Sequence, residues 1–413
     1  MNIAIINQPW NEFPSIKAAS IAIWNYEIAS RLQSAGHKIV VYSKTESKKP
    51  KFEDVNGISC RRVSTFIDQK LLRYLKRLSK LFSETRPLFA SVFFYFGYIF
   101  QIAFDLRRMN CDIVHIHNLS QFVPIILLFN PRIKIVLHMH CEWLTQLDAN
   151  LVKKRVRKLD RIFCCSDYIT QKIRNKFPEY CPICHTIYNG VDIDRYNKSH
   201  EVKKNGTYQL LFVGRISPEK GIHVMLDAYK KISTSMTNVK FNIVGPYALT
   251  AKEYIVSLSD DPKIHELASF YNHDYMDYLH NQVQSNNLHD VSFAGLKTQD
   301  ELVSIYESAD ILVNPSFSES FGMSLIEAMS SKVPVVCSNV GGMTEIVDDG
   351  KTGCLIEAGD ADELANAILR LLPDKNRRVQ MGETGRKKVI DLFSWDSIAR
   401  KLAMQYQAIM EIN

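Results

Sequence analysis

The stretch Glu319-Ser320-Phe321-Gly322-Met323-Ser324-Leu325-Ile326-Glu327 sets two carboxylates eight positions apart, the second inside an apolar pattern of helical period. An apolar run, Ile311–Val313, and a turn, Asn314-Pro315-Ser316, precede it. That order puts Glu319 in the loop at a strand's carboxyl end and Glu327 just over one turn into the following helix. Both then face one ligand lying across the helix N-terminus, where the amides of Ser320, Phe321, Gly322 and Met323 favour negative charge. A second stretch, Val213-Gly214-Arg215-Ile216-Ser217-Pro218-Glu219-Lys220-Gly221, also follows an apolar run and precedes a helical pattern. Gly214 permits close backbone approach, and Arg215 and Lys220 place two cations in a strand-to-helix loop, which makes a clamp for a diphosphate. The stretch is neither G-x-G-x-x-G nor G-x-x-x-x-G-K-[ST], so hydride transfer and ATP hydrolysis lack their usual fingerprints.

The elements that must carry these loops read as an α/β chain. Short β-rich apolar runs alternate with longer helical stretches, the pattern of parallel sheets with helices on both faces. Strands are expected at Ile3–Ile6, Lys38–Tyr42, Ile113–His115, Ile133–His138 and Arg161–Cys164, with a helix over Ser20–Ser34 capped by Gly36. A second set is expected at Gln209–Val213, Lys240–Val244, Val291–Phe293, Ile311–Val313 and Pro334–Cys337. The polar, apolar-poor run at 197–207 separates the two sets and reads as a linker. Two Rossmann-like domains follow, 1–196 and 208–385, with 386–413 as a C-terminal helix.

A length of 413 residues with 46% hydrophobic and 23% charged residues excludes a disordered chain and a small disulfide scaffold. The net charge of +7 permits contact with phosphates, nucleotides or an anionic membrane without choosing among them. Nine scattered cysteines and an opening Met1-Asn2-Ile3-Ala4-Ile5-Ile6 that reads as a buried strand, not a signal peptide, point to the cytoplasm. Cys181-Pro182-Ile183-Cys184 lacks a second pair at metal spacing, and no metal site is assigned to it.

G-R-x-x-x-x-K-G paired with E-x7-E, together with Asn189-Gly190-Val191-Asp192, Gly341-Gly342-Met343-Thr344-Glu345, Asp348-Asp349-Gly350-Lys351-Thr352-Gly353 and a helix bearing Trp395, resembles the retaining glycosyltransferases of family 4. Val136-Leu137-His138-Met139-His140-Cys141-Glu142-Trp143 resembles the spore-coat-type bacterial subgroup. The resemblance implies a GT-B fold of two facing Rossmann-like domains, the first binding the acceptor and the second the nucleotide-sugar, with the C-terminal helix returning to the first. It implies transfer of a sugar from a nucleotide diphosphate, UDP above others, to a hydroxyl of a glycan or lipid-linked acceptor in cell-surface polysaccharide synthesis, with no metal or other cofactor. The implied catalytic residues are Arg215, Lys220, Glu319 and His140. Gly214, Ser320, Phe321, Gly322, Met323 and Glu327 hold the nucleotide-sugar, Glu327 through its ribose. A departure stands at Lys17-Ala18-Ala19-Ser20, where many relatives carry Gly-Gly. A nucleotide-sugar epimerase of the same fold and a non-catalytic glycan- or nucleotide-binding subunit remain as rival readings.

Lys70–Lys80 is basic with helical period, and the uncharged run Leu88–Phe104 follows it. The pair reads either as a core helix beside a solvated basic face, or as an interfacial segment that brings the chain to the inner face of an anionic membrane. Asp192-Ile193-Asp194 spells D-x-D but lies beside the linker, away from a strand-end nucleotide site. His115 and His117 alternate on a strand with no carboxylate to complete a ligand set, so packing or hydrogen bonding is expected of them. No RNA-binding signature accompanies the basic and aromatic residues near position 73, and no nucleic-acid partner is expected.

Overall fold

The computed structural model describes residues 1–14, 20–46, 49–77, 85–196 and 206–411. They form two compact units, Met1–Asn189 with Trp395–Asn413, and Gly190–Ser394. The units divide at Asn189/Gly190, before the polar run at 197–207, of which 197–205 lie outside the described residues. The reason is hydrogen bonding. Val191 N–H donates to Phe393 O at 2.8 Å, and Arg386 donates to the carbonyls of Ile193 and Tyr196, so 190–196 are tied into the second unit although their composition continues the first. The return to the first unit likewise begins at Trp395 and not at 386. Residues 386–393 finish a helix, Lys375–Phe393, whose Arg386, Val389 and Phe393 are buried in the second unit.

In the first unit the strands are β1 (Asn2–Ile6), β2 (Lys38–Lys44), β3 (Phe52–Val55), β4 (Ile58–Val63), β5 (Ile113–His117), β6 (Lys134–Met139), β7 (Arg161–Cys164) and β8 (Cys184–Thr186). They make one sheet in the order β3-β4-β2-β1-β5-β6-β7-β8, parallel except for β3 against β4. The helix Ser20–Ser34 buries Ile21, Trp24, Ile28 and Leu32 at the three- and four-residue spacing that forms one face. Against that face pack Trp395, Ile398, Leu402, Tyr406 and Ile409 of the C-terminal helix Trp395–Glu411, the anchor being a core of aromatic and branched side chains. Arg31 pairs with both Glu27 and Asp396 at its edge.

The expected uncharged run 88–104 is not one element. A short turn at Leu88–Ala90 precedes the helix Phe96–Met109, which starts after Tyr95 in a left-handed conformation. That helix buries Tyr98, Ile99, Ile102 and Leu106 and exposes Phe96, Phe100 and Phe104 at four-residue steps. Beside it the helix Phe66–Arg77 exposes Phe66, Ile67 and Tyr74 and carries Lys70, Arg73, Lys76 and Arg77. Buried Asp68 accepts Gly97 N–H at 2.7 Å and ties the two helices. Among the described residues no helix is long and apolar enough to cross a membrane.

The second unit holds β9 (Tyr208–Val213), β10 (Val239–Val244), β11 (Val291–Gly295), β12 (Ile311–Asn314), β13 (Val335–Ser338) and β14 (Gly353–Ile356), all parallel, in the order β11-β10-β9-β12-β13-β14. The chain starts at β9, moves outward to β10 and β11, then crosses to the other side of β9 at β12. Strand order therefore reverses between β9 and β12, where open α/β sheets present a crevice at the strands' carboxyl ends. The segment Tyr247–Asn287 folds as the helices Lys252–Ile255, Pro262–Glu266 and Tyr275–Ser285 with a turn at Leu267–Tyr271, and it adds Ile264, Leu267, Tyr275 and Leu279 to the core.

Candidate functional site

β9 and β12 are neighbours, so the loops that leave their carboxyl ends start side by side. After β9 the chain runs through Gly214–Ser217 into the turn Pro218–Lys220, and Gly221 then opens the helix Ile222–Ser235. Gly221 has φ +68°, and a Cβ there would lie 2.1 Å from Pro315 O. Only glycine lets this turn rest on the β12 loop. Phe317 N–H donating to Glu219 O at 2.8 Å fastens the same contact.

The result is that Lys220 Nζ donates to Glu319 Oε2 at 2.7 Å, across 99 residues of sequence, with both side chains largely withdrawn from water. Burial pushes the Glu319 carboxyl up, but Lys220, the Phe321 amide and the charge of Arg215 outweigh it and leave the group below the usual carboxylate range. Gly341, with φ +55°, packs its α-carbon face on Glu319 O, where a Cβ would approach to 2.0 Å. Gly342 N–H donates to that oxygen at 3.0 Å. The Gly341-Gly342 pair thus holds the Glu319 backbone, a role that the motif's spacing did not show.

Arg215 is half-exposed. It donates to Thr250 Oγ1 and, at 3.2 Å, to Glu219 Oε1, which also accepts Ser217 Oγ–H at 2.7 Å. Glu219 is buried, and its second oxygen has no hydrogen-bond partner among the described residues. Neither Glu219 nor Thr250 stood out in the sequence, since one is the x before the lysine and the other sits in the segment Tyr247–Asn287. The helix Met323–Ser330 begins after Gly322, so the amides of the 320–323 turn sit where the loop arrives. Glu327, its fifth residue, is not ion-paired with a cation among the described residues. Tyr306 Oη donates to Glu327 Oε2 at 2.7 Å, and burial pushes this carboxyl up to about 7 against the opposing pull of that bond and of Arg195.

The structure brings Lys220 and Glu319 together, with Arg215 acting on Glu319 through its charge, and gives Glu327 a separate neutral partner. His140 belongs to the other unit, one residue past β6 and half-buried, while His138, two positions earlier, lies inside β6 and is fully buried. His140 Nε2 is 2.9 Å from His117 Nδ1, and its backbone N–H donates to Asn118 Oδ1 at 2.7 Å. His115 bridges Tyr406 Oη, 2.6 Å from Nδ1, and His138 Nδ1, 3.2 Å from Nε2. All four rings surround Trp24. Burial keeps His115, His117 and His138 neutral and lowers His140 to about 3. The nitrogens of His115, His117 and His138 lie within 4.8 Å of one another, near enough to share an ion, but both His115 nitrogens already serve hydrogen bonds.

The other sequence features have structural partners. Asp192 Oδ1 accepts the Asp194 and Arg195 amides, so D-x-D is a turn. Cys184 lies 3.9 Å from Cys164 while Cys181 turns to Arg174 O, so the CxxC sulfurs have separate neighbours. Lys17, Ala18 and Ala19 lie outside the described residues.

The description "Glycosyltransferase Family 4" matches residues 21–195, and "Glycosyl transferases group 1" matches residues 194–388. The lipopolysaccharide 1,2-N-acetylglucosaminetransferase of Salmonella typhimurium is 27% identical over 409 residues, 96% of each chain. Spore coat protein SA of Bacillus subtilis is 23% identical over 427 residues, 98% of this chain and 99% of that one. Among solved structures, HepE of Anabaena in complex with UDP and glucose superposes with a TM-score of 0.72 at 19% identity, over 99% of this chain and all of that one. The two Rossmann-like sheets, the loops at the β9/β12 reversal and these matches make the chain a glycosyltransferase of family 4 with the GT-B fold.

Proposed function

We propose that the protein is a retaining, metal-independent glycosyltransferase that moves a sugar from a UDP-sugar to a hydroxyl of a glycan or lipid-linked acceptor in cell-surface polysaccharide synthesis. The observation that carries this reading is the Lys220–Glu319 pair with Arg215 beside it, at the strand ends where a nucleotide diphosphate docks. Binding of UDP and glucose by HepE, a chain of the same fold, supports the choice of donor.

Breaking the bond from the anomeric carbon to the diphosphate sends an electron pair to the phosphate and leaves positive charge on the sugar ring. Fixed cations aimed at that phosphate lower the barrier most directly, which is the work of Lys220 and Arg215 with the amides of Ser320–Met323. Two protein cations supply the neutralisation that a divalent ion gives elsewhere. Glu319, held ionised, accepts hydroxyls of the donor sugar and keeps it in the reacting pose. The acceptor oxygen bonds the anomeric carbon from the face the diphosphate leaves, and its proton passes to a phosphate oxygen, so configuration is retained. Glu327 takes the ribose hydroxyls, and His140 contacts the transferred sugar or its phosphate.

A thermal-shift panel of UDP-, GDP- and ADP-sugars tests the donor: at 100 times its dissociation constant a ligand stabilises the fold by about 2.7 kcal/mol. A flat panel overturns the reading, as does a product inverted at the anomeric carbon or turnover abolished by a chelator. The chain works in the cytoplasm, at the inner face of an anionic membrane, to which it presents the aromatic face Phe96, Phe100 and Phe104 and the cations Lys70, Arg73, Lys76 and Arg77. Flotation with anionic liposomes and not with neutral ones is the expected result. Equal, negligible flotation with both removes the membrane from this reading.

A further inference from the structure

The ribose carboxylate of the proposed donor site has a partner that no motif contained. Tyr306 sits on the helix Gln299–Ser308, wholly buried, and its hydroxyl donates to Glu327 Oε2 at 2.7 Å. Tyr196 packs edge-on against the Tyr306 ring at 5.7 Å and fixes its plane. A phenol O–H keeps close to its ring plane, so fixing the ring limits the directions in which it donates, and one of them meets Glu327. We propose that Tyr306 is a positioning residue for the nucleotide: it occupies one oxygen of Glu327, turns the other toward the ribose, and favours the ionised state in which that oxygen accepts the ribose hydroxyls. The inference rests on the reading of Glu327 as the ribose ligand.

The physical need for such a partner lies in the surroundings of Glu327. The groups that act on it are Tyr306, Arg195 and, through its phenol, Tyr196, whose own hydroxyl is buried and finds no partner among the described residues. Arg195 is diverted, bonding Gln299 and lying 3.9 Å from Asp192. On the packed helix Lys375–Phe393, Arg386 spends its charge on Ser330 O, at the far end of the helix that carries Glu327. No cation among the described residues forms an ion pair with Glu327, so the phenol's hydrogen bond, ahead of the more distant charge of Arg195, is what stabilises its charge. A carboxylate poised in this way binds hydroxyls best above its titration and poorly below it, so nucleotide affinity rises with pH through neutrality.

The test compares parent, Tyr306→Phe, Glu327→Gln and Glu327→Ala for binding of UDP, GDP and ADP by calorimetry from pH 5.5 to 9, since all three probes share the ribose. 2′-Deoxy-UDP and 3′-deoxy-UDP serve as the matched controls. In the parent, affinity for the ribonucleotide that binds rises about tenfold across the range, and the deoxy analogues show a flatter profile. Tyr306→Phe, which keeps the ring and its packing, moves the midpoint to higher pH and narrows the gap between UDP and its deoxy analogues. A Tyr306→Phe profile lowered equally at every pH, or unmoved, overturns the inference and leaves the ribose reading standing. If Glu327→Gln and Glu327→Ala bind all three nucleotides as the parent does, the ribose reading itself has failed.

Discussion

Glu319 and Glu327 come from one nine-residue motif, sit on either side of one helix start and are both withdrawn from water, yet their chemistry diverges. Glu319 faces a lysine and an arginine and titrates below the usual carboxylate range; Glu327 faces a phenol and titrates at about 7. Desolvation opposes ionisation at both positions, and the partners differ: a lysine with an arginine's charge at Glu319, a phenol with the weaker pull of Arg195 at Glu327. A cation within hydrogen-bond reach overcomes burial, and a neutral donor only moderates it. One carboxylate is thereby held charged at neutral pH, and the other is adjustable there.

The comparison breaks most visibly at Lys220. Lys220→Ala removes a cation from the leaving diphosphate and the main counter-charge of Glu319, and turnover measured at saturating donor is expected to fall about 10²–10³-fold. If it stays within a few-fold, the phosphate role belongs elsewhere. Glu319→Gln keeps the shape and removes the charge, and a loss of about 10²-fold in kcat is expected, with donor KM changed much less. A change confined to KM would make Glu319 equivalent to Glu327 and erase the contrast.

Glu327→Ala is expected to act in the opposite sense, raising donor KM about tenfold while kcat stays within a few-fold, as loss of a hydrogen bond to a bound hydroxyl predicts. A further effect concerns stability. The folded state holds the Glu327 proton up to about pH 7, whereas the unfolded chain releases it near 4.3. The folded state therefore binds more protons between those values, and its stability falls as pH rises through that window. Glu327→Gln removes the effect, so its melting temperature should gain on the parent's between pH 5 and pH 8. A constant difference across that range would show that Glu327 is not held above its ordinary value. Glu319 has the reverse sign, its contribution being present above the unfolded value and lost as pH falls through the folded one.

Much of this was legible in the residues themselves. Ser20–Ser34 forms over the span that its period predicts, and Arg161–Cys164 is a strand end to end. Other strands differ from expectation by one or two residues at their ends, because fraying and neighbouring ladders set the last hydrogen bonds. The strands β3, β4, β8 and β14 escaped notice. β3 and β14 expose alternate or partial faces at sheet edges, and β8 is three residues long, so none carries a strong apolar signal. Composition puts the boundary between units at the polar run because it reports polarity, whereas the chain belongs where Val191 and Arg386 make their hydrogen bonds.

The sequence by itself determined the fold class, because periodicity and turn residues are local and survive without knowledge of partners. It also determined which residue types stand in the two loops, the cations at 215 and 220 and the carboxylates at 319 and 327. Tertiary structure alone decided which of them meet. That β9 and β12 are neighbours, that Gly221 rests on Pro315 O, and that Tyr306 reaches Glu327 are relations between residues up to about a hundred positions apart. Charge and hydrogen bonding act through a few ångströms of space and not along the chain. Two glutamates alike in the sequence therefore acquired different protonation only when folding assigned each its partner.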